Sequence, residues 1–249
     1  MKKLLIDLDG TILEGPAPIN DAREFFEKAE KLEIDFLIMT NSVKSPLLIK
    51  KRLSDAGLAV PMPSIINPII AINSYLRRKG FGTAYIVGSG QEMEQVCIPH
   101  NEEYPEIVLL LDFEKENLSY SDLQNIFLFQ QKGVPLITAS ASPYYLSGER
   151  KQLDTGAFVS LFETAGNTKI EVFGKPSLSY YTEALEILDA PPEDVIVIGD
   201  DWKTDIQGAE NSGCHAFLAR SGKYQPGDES HVPGIGVIDS LMEVFQYLD

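Results

Sequence analysis

The residues best suited to chemistry in this 249-residue chain stand in four short stretches, each at or just beyond the end of an apolar run. Asp7 and Asp9 follow Leu4-Leu5-Ile6, and Thr40-Asn41 follow Phe36–Met39. Lys175 follows Ile170–Phe173, while Asp200, Asp201 and Asp205 follow Val195–Ile198. Converging carboxylates repel one another unless a cation lies between them, and ligation by a few carboxylate oxygens suits Mg²⁺ better than zinc. A metal ion there keeps Asp7 ionised and screens an incoming phosphate dianion, so Asp7 reads as a nucleophile toward phosphorus. Asp9, crowded by neighbouring acids, reads as the general acid for the leaving alcohol and then as the base for water. Thr40 and the Asn41 amide can hydrogen-bond phosphoryl oxygens, with Lys175 adding a point charge. Taken alone, the first stretch is equally a strand end with two solvated aspartates.

These residues need a scaffold that delivers four strand ends to one edge. Strand alternation predicts that Asp7 and Asp9 emerge on the same side. After Thr11, helical spacing covers 18–31, with Asn20 or Asp21 as N-cap. A strand at Phe36–Met39 follows, then a helix from Pro46 to Leu53, an apolar pair Ile65-Ile66 and a helix over 68–79. From Thr83 the rhythm restarts, with strands at 84–88, 107–111 and 135–138 and helices at 92–96 and 121–131. The polar stretch Ser140–Gly156, with Pro143 and Gly148, reads as one long loop. A helix over 157–164 and a strand at 170–173 lead to a helix over 178–188. Strands at 195–198 and 216–218 then alternate with a helix over 204–212, and a terminal helix begins at Asp239. Strand–helix alternation of this kind means a doubly wound parallel sheet of the Rossmann-like α/β class. No repeat or linker marks a tandem second domain, so the middle of the chain is expected as an insertion, 80–172, into a core formed by 1–79 and 173–249.

A hydrophobic content of 44% supports a packed core, and a net charge of -16 disfavours nucleic acid or an anionic membrane as partner. No apolar run reaches the ~18 residues of a membrane span, and too few apolar residues precede Asp7 for a signal peptide. Cys97 and Cys214 form no metal or redox pattern and read as reduced. A cytoplasmic protein is expected. His215 reads as structural, and Gly88-Ser89-Gly90, which lacks the third glycine of a dinucleotide fingerprint, as a tight turn. Tyr144, Tyr145, Arg150 and Lys151 are either a solvated loop surface or substrate contacts. Trp202 can shield the site, stack on a ligand or pack against the inserted domain.

The four stretches together resemble the haloacid-dehalogenase (HAD) superfamily of aspartate phosphohydrolases. Asp-Leu-Asp-Gly-Thr from Asp7 to Thr11 matches its first motif, Thr40-Asn41 the second, Lys175 the third, and Gly199–Asp205 the fourth. Asp9 and Thr40 lie 31 positions apart, too few for an inserted cap, whereas Thr40 and Lys175 lie 135 apart. That spacing resembles the NagD / p-nitrophenyl-phosphatase branch, whose α/β cap sits between the second and third motifs. The resemblance implies metal ligation by Asp7, the Asp9 backbone carbonyl and Asp200, with Asp201 and Asp205 behind them. It implies Mg²⁺-dependent hydrolysis of a small phosphorylated metabolite, of the nucleoside monophosphate or sugar phosphate class, and leaves a homodimer open. The chain departs from the branch at Ser140–Tyr145, where an Asn-Pro-Asp-like turn is common, which bears on leaving-group specificity. A dehalogenase would not need Asp9, and a phosphonatase or mutase would carry its cap in the gap that is too short here. The competing class is a non-catalytic phospho-ligand sensor on the same fold, distinguishable because it would bind an ester and leave it intact.

Overall fold

The computed structural model describes residues 2–19, 21–112, 118–147 and 150–248. It divides into two compact units, one formed by 1–40, 46–67 and 175–249 and the other by 41–45 and 68–174.

The first unit is built on a six-stranded, wholly parallel sheet with spatial order Gly236–Ile238, His215–Ala219, Val195–Gly199, Lys3–Asp7, Phe36–Met39, Ile65–Ile66. The first strand lies in the middle because it is apolar on both faces, as Leu4, Leu5 and Ile6 are all fully buried. Its even-numbered side chains, Leu4 and Ile6, join Ala22, Phe25 and Ala29 of helix Ala22–Lys31 and Ile49 and Leu53 of helix Pro46–Asp55. Helix Leu178–Leu188 packs against strand Phe36–Met39 and against helix Gln207–Ser212. The strand order reverses on either side of Lys3–Asp7, which makes its carboxyl end the switch point where a doubly wound sheet leaves a crevice.

The second unit carries a four-stranded parallel sheet in the order Glu171–Val172, Leu136–Thr138, Ile107–Leu110, Ala84–Val87. Val108, Leu110, Ile126, Phe129, Val159 and Phe162 form its own core. An inserted α/β unit is therefore present, and besides 41–45 it takes in 68–174. Helix Pro68–Lys79 belongs to it through Asn73, whose side chain donates to the Gln95 carbonyl and accepts from the Cys97 N–H at 2.7 and 2.8 Å. Tyr75 of the same helix packs on Phe81 and Phe173.

Several local expectations change. Residues 13–18 form a small antiparallel ribbon, Leu13–Glu14 with Ala17–Pro18, so the first helix starts at Ala22. Asn20, one of its two candidate caps, lies outside the described residues, and Asp21 stands at the N-cap position with no side-chain capping bond. Instead the Asp21 carboxylate accepts from the Ser240 hydroxyl at 2.5 Å. The stretch 140–156 is no simple loop, because Tyr144–Ser147 and Arg150–Leu153 pair as an antiparallel hairpin, Tyr144 opposite Leu153. Arg150, Lys151, Gln152 and Leu153 are all exposed, so no alternation of apolar and polar residues marks the strand. Gly236–Ile238 adds an edge strand, and the terminal helix is a 3₁₀ segment, Leu241–Tyr247. Among the described residues no helix is long and apolar enough to cross a membrane.

Candidate active site

The strand register assembles the site. Asp7 lies opposite Met39, so Thr40 is one residue beyond it, and Ile6 lies opposite Ile198, which brings Gly199-Asp200 level with Asp7. Asp7, Asp200 and Asp205 are buried and offer carboxylate oxygens within 4.8 Å of one another.

Lys175, also buried, is the internal cation of this cluster. Its ammonium donates to Asp7 Oδ1 and, at 2.6 Å, to Asp205 Oδ1. Burial alone would favour the neutral amine, but the Asp205 and Asp7 carboxylates outweigh it and hold Lys175 protonated, its pKa well above the ordinary value. Burial pushes the carboxyl of Asp7 up, against the pull of Lys175, and burial raises Asp205 to about 6. Asp200 is raised by burial too, opposed by the Lys223 N–H that donates to its Oδ2 at 2.6 Å.

The other partners are largely backbone and buried hydroxyls. Thr11 donates to Asp200 Oδ1 at 3.4 Å, and the Asp201 N–H donates to Asp205 Oδ2 at 3.2 Å. Asp205 sits in a π-helical turn, Trp202–Ile206, whose carbonyls at Asp205 and Thr204 accept from the Tyr181 hydroxyl. Tyr180 donates to the carbonyl of Thr40 at 2.7 Å and of Ile66 at 3.2 Å, which pins the second motif to helix Leu178–Leu188. Gly10 and Gly222 both have positive φ, and a Cβ on either would come within 2.1 Å of Asp200 Oδ2. Two glycines thus allow the backbone to close around that carboxylate.

A divalent cation fits this arrangement. Three buried carboxylates face one ammonium, and Asp7 Oδ2 is buried with no hydrogen-bond partner. An orphaned carboxylate oxygen in an all-oxygen cluster calls for a hard cation or an electrophile.

Asp9 behaves differently from the expectation. The strand ends at Asp7, and the chain turns at once: the N–H groups of Ile12 and Leu13 both donate to the Leu8 carbonyl, with Gly10 at φ 105°. Alternation therefore stops before Asp9. Asp7 faces Lys175, whereas the half-exposed Asp9 accepts from Arg52 Nη2 at 2.6 Å, on the helix that packs with Leu4 and Ile6. Among the described residues the ion pair that Asp9 makes is with this guanidinium.

Thr40 is buried at the end of its strand, and Asn41, next in the chain, is the first residue of the second unit. Asp201 accepts from the Lys203 N–H at 3.0 Å and pairs with Lys223 at 3.2 Å, so it holds the loop around Asp200. Trp202 stacks on His231 with ring centroids 4.3 Å apart. Lys151 lies 4.2 Å over the Tyr144 ring, while the side chain of Tyr145 lies outside what the structure describes. His215 opens its strand, exposed, Cys97 and Cys214 are free thiols, and Ser89 leads directly into helix Gly90–Met93. Sequence reasoning missed Arg52, Lys223 and the pair Tyr180-Tyr181. Arg52 sits in an ordinary-looking Lys-Lys-Arg surface run, and only adjacency to Pro176 and the third motif could have drawn attention to the tyrosines.

Comparison with known proteins gives a consistent picture. A family model described as haloacid dehalogenase-like hydrolase matches residues 4–98, and one described as HAD-hydrolase-like matches 172–244. The chain is 28% identical over 233 residues to haloacid dehalogenase-like hydrolase domain-containing protein 2 of Mus musculus, covering 93% of this chain and 89% of the relative. It is 27% identical over 259 residues to the phospholysine phosphohistidine inorganic pyrophosphate phosphatase of Homo sapiens, covering 100% and 94%. The p-nitrophenyl phosphatase from Archaeoglobus fulgidus has the same fold, with a TM-score of 0.86 at 21% identity over 99% of each chain.

Proposed function

We propose that this chain, which belongs to the haloacid dehalogenase-like hydrolases, is a Mg²⁺-dependent phosphatase that hydrolyses small phosphomonoesters through an aspartyl-phosphate on Asp7. The observation that carries the reading is Asp7 itself: a buried carboxylate with one oxygen held by Lys175 and the other without a partner. Such an oxygen is desolvated, oriented and available for attack. The naming of a full-length human relative as a phosphatase supports the same reaction class.

Asp7, Asp200 and the backbone carbonyl of Asp9 would hold the metal ion, with Asp201 and Asp205 behind them. When bound, Mg²⁺ supplies positive charge that draws in the phosphate dianion and offsets the charge developing on its oxygens. In the first step Asp7 Oδ2 forms a bond to phosphorus, the bond from phosphorus to the ester oxygen breaks, and Asp9 gives that oxygen its proton. In the second step Asp9 takes a proton from water, the water oxygen attacks phosphorus, and inorganic phosphate leaves as Asp7 is regenerated. Thr40 and the Asn41 amide orient the phosphoryl oxygens, and Lys175 keeps Asp7 ionised and aimed. The substrate is a small phosphorylated metabolite of the nucleoside monophosphate or sugar phosphate class.

Phosphate release from p-nitrophenyl phosphate, with and without Mg²⁺, tests this directly. Release should require Mg²⁺ and should fall by roughly 10⁴-fold or more in Asp7→Asn. Asp7→Asn turning over near the wild-type rate would remove the nucleophile assignment. Folded wild type that binds phosphate esters and hydrolyses none of a metabolite panel would establish the sensor function instead.

A further inference from the structure

Among the described residues three cations touch the acids around the site. Lys175 is buried and spans Asp7 and Asp205, and Lys223 pairs with Asp201. The third, Arg52, is the one that meets Asp9, and it does so at the half-exposed side of the cluster. Only one of its five N–H donors is used in that contact. The rest of the planar fork suits a second carboxylate or phosphate held alongside Asp9.

We propose that Arg52 is a specificity-determining residue that selects phosphomonoesters whose leaving group carries its own negative charge close to the ester oxygen. The proposal rests on the reading that Asp9 meets the leaving-group oxygen. Whatever that oxygen is attached to then comes within reach of a guanidinium 2.6 Å from Asp9. The charge balance makes such a cation necessary. The chain carries a net charge of -16, and three carboxylates stand at the reacting centre, so an anionic leaving group is repelled unless a positive group meets it. A cationic leaving group meets the opposite problem at Arg52. If the ion pair were only an exposed surface contact, it would add little and discriminate nothing.

The test compares three phosphomonoesters with two-carbon leaving groups on the full chain with Mg²⁺: phosphoglycolate, ethylene glycol monophosphate and phosphoethanolamine. Wild type should prefer the carboxylate ester over the neutral one by roughly 10-fold or more in kcat/KM, with the ammonium ester poorest. The preference should lie mainly in KM, because Arg52 holds the second anion in ground and transition state alike. Arg52→Gln should bring the carboxylate-to-neutral ratio close to one, and Arg52→Lys should keep part of it as a point charge without the fork. An unchanged ratio in Arg52→Gln overturns the proposal and leaves the phosphatase reading standing. So does a uniform loss on all three esters, which would assign Arg52 to orienting Asp9 alone. Folded wild type that hydrolyses neither these esters nor p-nitrophenyl phosphate overturns both readings.

Discussion

Replacing Lys175 by Met removes the ammonium that pairs with both Asp7 and Asp205 while preserving most of its volume. The side chains of Lys175, Asp7 and Asp205 are 4%, 9% and 2% exposed, so solvent cannot take over the lost interaction. Two buried carboxylates would then be left facing each other and Asp200. Removing one partner of a buried ion pair costs about 3–5 kcal/mol, because the remaining charge is left desolvated. With a urea m-value of about 2–3 kcal/mol/M, the unfolding midpoint should fall by roughly 1–2.5 M. Trp202 is the chain's only tryptophan and lies in the unit that contains the cluster, so its fluorescence reports this transition. Adding Asp205→Asn to Lys175→Met should recover a substantial part of the loss, since the amide removes one uncompensated charge, and that coupling is the signature of the pair. A loss below about 1 kcal/mol in the single variant, or no recovery in the double, would refute the claim that Lys175 holds the cluster together. Activity should be lost in both variants.

Two further outcomes follow from the structure. Gly222→Ala puts a Cβ 2.1 Å from Asp200 Oδ2 in a residue with φ +52°, so the carboxylate must move; the Mg²⁺ concentration for half-maximal activity should rise several-fold, and an unchanged Mg²⁺ titration would show that Asp200 is not a ligand. In the second unit the Ile170 N–H, then Lys169, holds the carboxyl of Glu163 below its ordinary 4.5. Its contribution is full above the unfolded value and is lost as pH falls through the depressed folded value. Glu163→Gln should therefore flatten the decline in stability below pH about 4.5, measured by urea unfolding followed by circular dichroism; an identical acid limb in the variant would refute the assignment.

The legibility of the chain differs sharply between backbone and side-chain geometry. The central strand, its neighbours and the inserted α/β unit could be read because apolar runs and breakers are local signals. The pairing of Tyr144–Ser147 with Arg150–Leu153 escaped because Arg150–Leu153 is exposed without alternation, and the placing of helix Pro68–Lys79 in the second unit because Asn73 and Tyr75 reveal their partners only in space. The convergence of Asp7, Lys175, Asp200 and Asp205 could be inferred from their positions at strand ends. The direction of each side chain could not.

What the sequence alone determined was the set of groups available: four strand-end motifs in an order and spacing that imply one sheet edge and one inserted unit. Those features depend on residue type and distance along the chain, which the sequence carries directly. Tertiary structure decided how the charges are shared. Lys175 is spent inside the cluster, Asp7 retains an unpartnered oxygen, and Asp9 pairs with Arg52, 43 residues distant in the chain. Electrostatic partnership falls off over a few ångströms, and only the folded register brings residues so far apart in sequence within that range.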